Sequence, residues 1–145
     1  MKEKLFEGQD GFTLLEIMIS IFILTVALLT LSGLMTSSIR STDFGRKTTE
    51  AANLARETLE QIERQAAVNF DSVQDSVAGS DPVAGVNPDQ VEDYGTISGH
   101  PSFRRETYIT DGAAPVNSKD VAVKVIWDDT IGSGHNVIFR TVIAR

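Results

Sequence analysis

The chain has no cysteine among its 145 residues, so disulfide staples, thiolate metal centres and cysteine nucleophiles are excluded. A domain exported without disulfides has to be held by a hydrophobic core and by its neighbours. Basic surface is scarce as well: the formal net charge is −7, which argues against nucleic acid held on a broad positive patch. The one local cluster of cations, Arg40, Arg46 and Lys47, is too sparse for a nucleic-acid block and reads as a flank beside an apolar segment. Catalytic constellations are missing too. There is no Ser/His/Asp set, no phosphate-cradling glycine loop and no metal-ligand cluster. Asp89, Glu92 and Asp93 are close in sequence but lack the alternating oxygens and closing Glu of a calcium loop, so they are expected in a solvated loop. His100 and His135 have no ligand partner at a recognisable spacing and are expected at the surface. No cofactor, metal or enzymatic activity is expected.

Charge itself is absent over one stretch. Ile17 to Met35 reads IMISIFILTVALLTLSGLM, a run long enough to cross a ~30 Å hydrocarbon layer as a helix. A soluble helix would place polar residues along one face of such a run. The segment also exceeds the apolar region of a secretory signal, and it follows an unusual polar leader, MKEKLFEGQDG. A secretory cut near Ser32 or Ser37 is the alternative reading. Within the apolar segment Glu16 is the exception. Carboxylates inside membrane spans are rare and costly, although one so near a helix start is favoured by the macrodipole and can snorkel to the interface.

Beyond Met35 the helical pattern continues with a changed face. Ala52, Ala55, Leu59, Ile62 and Ala66 recur at spacings of three and four, and Glu60 and Arg64 form a supportive i, i+4 pair. One helix is expected from Phe12 to about Ala67, about 80 Å long, with Gly33 and Gly45 as weak points. Residues 71–101 are rich in Asp, Ser, Gly and Pro and read as a variable connection. The C-terminal third has the period of antiparallel strands at Phe103–Ile109, Val121–Trp127 and Val137–Ile143. Val137, Phe139, Thr141 and Ile143 share one face of the last strand. This meander would lay its apolar face on the Ala52–Ala66 stripe, with Trp127 as a core or rim anchor. The fold class is therefore α+β, a long N-terminal helix packed on a small C-terminal antiparallel sheet.

Gly11-Phe12-Thr13-Leu14-Leu15-Glu16, followed by Ile17-Met18-Ile19, resembles the processing motif of type IV prepilins and type II secretion pseudopilins. The resemblance implies a pilin-like fold. It implies a prepilin peptidase that cuts between Gly11 and Phe12, and N-methylation of Phe12. It also implies an assembly role for Glu16, paired with the amino group of a neighbouring subunit. The implied divisions are a cytoplasmic leader (1–11), a transmembrane and assembly helix (12–35), its amphipathic continuation (36–68) and a globular head (69–145). The implied partners are the peptidase, other pilin or pseudopilin subunits, an inner-membrane assembly platform and membrane lipid. The implied location is the bacterial inner membrane, single-pass, with the leader cytoplasmic and the head periplasmic. Lys2 and Lys4 on one flank face Arg40, Arg46 and Lys47 on the other, so charge does not choose this orientation. Many major pilins carry a Pro near the position of Gly33. Its absence here, with the loose C-terminal similarity to PilV-type minor pilins and GspI-type minor pseudopilins, points to a minor subunit that initiates or adapts a filament. Pilus and secretion system remain alternatives, and a membrane-anchored adaptor or enzyme is a distant one.

Overall fold

The computed structural model describes residues 12–111, 117–129 and 132–145. Its elements are a helix α1 (Leu14–Val68), a 3-10 turn (Phe70–Ser72) and four strands: β1 (Gln90–Glu92), β2 (Phe103–Asp111), β3 (Ser118–Trp127) and β4 (His135–Ala144). The strands form one antiparallel sheet in the order β1-β2-β3-β4. The α+β layout expected from the sequence is the one observed. The chain divides into two compact units, Met1–Ser41 and Thr42–Arg145.

In the first unit, α1 runs unbroken through Gly33, and every residue from Leu14 to Ser41 is exposed. Five of the hydroxyls along it are used internally. Ser20, Thr25, Thr30, Ser32 and Thr36 each donate to the carbonyl four residues back, at 2.8–3.0 Å. A hydroxyl satisfied in this way costs little in hydrocarbon, where an unpaired one would be expensive. The α1 helix is long and apolar enough to cross a membrane.

In the second unit, α1 packs on the sheet through Ala51, Leu54, Ala55, Leu59 and Ala66, against Phe103, Ile109, Val121, Val123, Val125 and Trp127. The buried positions differ from the expected stripe. Ala51, Leu54 and Thr58 are buried, whereas Ala52 and Ile62 are only half-buried. A helix lying on a sheet buries a face wider than the narrow seam of a helix pair, so the i, i+3, i+4 rows all enter the core. Thr58 is tolerated there because its hydroxyl donates to Leu54 O (2.8 Å) and accepts from Arg105 Nη1 (2.7 Å). Trp127 is buried, flanked by the rings of Phe44, Phe103 and His135.

The strands are longer than their sequence periodicity indicates, and β1 lies inside the segment read as a connection. A three-residue strand has no readable period; its pairing with β2 places it. The segment before β1 is also tied down, by the carboxylate of Asp89. That carboxylate accepts from Ser76 N and Oγ (2.7 Å each), Val77 N (3.2 Å) and Ile109 N (2.7 Å). Asp89 is thus a half-buried tie between the loop and β2, not a solvated loop residue. Glu92 pairs with Arg105, and Asp93 with Arg104 at 3.3 Å. Both histidines depart from the surface expectation. His100 Nδ1 lies 2.6 Å from Glu50 Oε1 on α1, and His135 Nε2 lies 3.3 Å from Asp129 Oδ1. Each ring is half-buried, because its partner is supplied by folding and not by sequence spacing alone.

Candidate functional site

The sequence motif falls on the start of α1. Gly11, with the rest of the leader, lies outside the described residues. Phe12 is exposed and lies just outside the helix, one residue before its cap. Thr13 is the residue that caps it. Its Oγ1 accepts from Glu16 N at 3.2 Å, and its carbonyl accepts from Glu16 N (3.0 Å) and Ile17 N (3.2 Å). Thr13-x-x-Glu16 has the spacing of a capping box, a local signal the sequence reading passed over. The structure makes the Thr-to-amide half of that box.

Glu16 therefore sits in the first turn of α1, where the helix dipole favours a carboxylate. It is exposed, and its carboxylate makes no hydrogen bond or ion pair among the described residues. From Ile17 to Met35 the helix presents only apolar side chains and internally bonded hydroxyls, with Ile17, Met18, Ile19, Ile21 and Phe22 among the exposed apolar ones. A free carboxylate one turn from the entry of an uncharged surface can be matched by a cation supplied from outside the chain. Were that surface set in hydrocarbon, a matched pair there would be far more favourable than either charge alone.

Among the described residues no group of three His, Asp or Glu side chains could hold a metal ion. A recess beside β1 of about 380 Å³ is polar, lined by side chains such as Gln61, Gln65, Ser76, Asp89, Arg105 and Thr107. Its one hydroxyl–carboxylate contact, Ser76 Oγ donating to Asp89 Oδ1 at 2.7 Å, belongs to the tie that also takes the amides of Ser76, Val77 and Ile109.

A family profile described as the prokaryotic N-terminal methylation motif matches residues 8–32. No curated protein and no solved structure gives a significant match. The matched segment holds Phe12, Thr13 and Glu16 and the first turns of α1. A motif of this kind, prepilin-type, supports a type IV pilin-like or pseudopilin subunit.

Proposed function

We propose that this protein is a minor structural subunit of a type IV pilus, one that initiates or adapts the filament after its leader is removed. The observation that carries the reading is the methylation motif placed at the capped start of a helix that is uncharged and exposed from Ile17 to Met35. On this reading a prepilin peptidase cuts between Gly11 and Phe12 and the new amino group on Phe12 is methylated. Residues 12–35 then serve as the membrane and assembly helix, 36–68 as its continuation, and 69–145 as a periplasmic head. The α-amine created at Phe12 has a reference pKa near ~8 and is largely cationic at neutral pH. It is a cation available to Glu16 of a neighbouring subunit, which has no ion pair among the described residues. Pairing the two neutralises both charges in an apolar setting and favours one stagger between packed helices.

Intact-mass analysis of the full chain extracted from membranes tests the processing step. Loss of Met1–Gly11 with the addition of one methyl group is expected. A retained leader, or a cut beyond Met35, would overturn it. Glu16 is tested by two substitutions that separate its roles, because Gln keeps a capping-box side chain without the charge. Glu16→Gln and Glu16→Ala are both expected to insert and be processed yet assemble poorly. Normal assembly of Glu16→Gln beside failure of Glu16→Ala would show that Glu16 acts as a cap and not as an ion-pair partner.

A further inference from the structure

One edge of the sheet is open over its whole length, and that edge is β4. The β3–β4 register runs without interruption from Ser118↔Ala144 to Trp127↔His135. Just past its end, Arg145 N donates to Asn117 O (3.2 Å), so the odd-numbered residues of β4 bond inward to β3. Asn136, Ile138, Arg140, Val142 and Ala144 therefore turn their N–H and C=O groups outward. No backbone group among the described residues meets them. Long edges of this kind template strand addition, and proteins usually blunt them with Lys, Pro, a bulge or a short strand. The opposite edge, β1, is blunted in that way: it is three residues long, follows Pro88, and turns only Val91 outward. β4 has no Pro, no Lys and no bulge.

On the face away from α1, the side chains along this edge alternate apolar, charged, apolar. Ile138 is half-buried and Val142 is 59% exposed. Arg140 between them is exposed and makes no ion pair among the described residues. Asp81 and Asp120 border the same ~220 Å³ recess as Arg140, but the Asp81 carboxylate is already held by the N–H groups of Val83 and Ala84.

We infer that the outer edge of β4 is a docking site for an extended segment of another protein. That segment carries an acidic residue flanked two positions away on each side by apolar ones. Backbone pairing would supply the affinity, and the Ile138–Arg140–Val142 row would supply the selectivity. A second copy of this chain is a poor occupant. Its β1 edge is too short, and antiparallel pairing of two β4 edges would reverse one molecule relative to the other. Because α1 runs alongside β4 in the same sense, from Phe44 beside His135 to Glu63 bonded to Thr141, the two helices would then point in opposite directions. Subunits packed side by side in a filament share one helix direction, which this pairing does not allow; this step rests on the filament-subunit reading above.

The test is binding of a fluorescent nine-residue peptide centred on Val-Thr-Glu-Thr-Val to the full chain in detergent micelles, read by anisotropy, with a Val-Thr-Lys-Thr-Val peptide as comparison. The Glu peptide is expected to bind and the Lys peptide to bind about tenfold more weakly. Arg140→Glu should invert that preference. Ile138→Pro removes an outward N–H and no bond to β3, so it should weaken both peptides by about tenfold. An unchanged circular dichroism melt would certify that each variant is folded. No binding of the Glu peptide, or equal binding to all three proteins, would overturn the proposal. So would self-association of the chain that Ile138→Pro abolishes, since it would make a second copy the occupant. The mass measurement above stands apart, so failure here leaves the processing reading intact.

Discussion

Asp89 and Tyr108 show how individual polar residues hold the head together. Asp89 takes four hydrogen bonds from three residues in two segments of chain, three of them from backbone amides. Such charge-assisted bonds are among the stronger ones, and losing the acceptor strands the donors. Asp89→Ala is expected to lower stability by about 2–3 kcal/mol, read as a fall in the urea midpoint of unfolding. Tyr108 is buried and donates to the Glu106 carboxylate at 2.6 Å, with Arg104 Nη2 2.9 Å from the other oxygen. Burial first, and the bond to Glu106 second, push the phenol well above its ordinary value of 10.0. A group whose pKa is raised by folding stabilises the fold below its unfolded pKa and loses that contribution as pH rises toward the folded one. The head should therefore hold its Tyr108-linked stability up to pH ~10 and lose it progressively above. In Tyr108→Phe that alkaline slope should shrink, with a cost of about 1–2 kcal/mol at neutral pH. An unchanged alkaline slope in denaturation would exclude Tyr108 as its source.

At the level of elements, α1 carries two different surfaces on one backbone. Through Ser41 every side chain is exposed; from Ala51 to Ala66 a broad face is buried against strands. The period of three and four identified the helix well before its packing. It did not choose between Ala51 and Ala52, because that depends on the width of the surface the helix lies against. Gly45 sits in the second unit with open space where a Cβ would be. Gly45→Ala should stabilise the head by up to about 1 kcal/mol, seen as a rise in thermal midpoint. A lower midpoint would mean that Gly45 packs against something the free chain does not contain. Among the strands, alternation found the centres of β2, β3 and β4. Their ends, and β1 entirely, were decided by cross-strand pairing and by the Asp89 tie.

For the molecule as a whole, the unit Thr42–Arg145 has its own core, with Trp127, Val121, Val123 and Val125 all buried. A fragment covering that unit is expected to fold in water and unfold cooperatively, with Trp127 fluorescence red-shifting only as denaturant opens the core. Solvent-like emission before denaturant is added would show that the head needs the rest of the chain. The local sequence determined the motif at Gly11–Glu16, the uncharged helix that follows and the general α+β class, because each is written in neighbouring residues or in a short period. Only the tertiary structure decided the partners of His100, His135, Asp89 and Arg105, and the open edge at β4. Most of those join residues far apart in sequence, such as His100 with Glu50 and Arg105 with Thr58, and the nearer His135–Asp129 pair has no motif spacing, so no spacing along the chain encodes them.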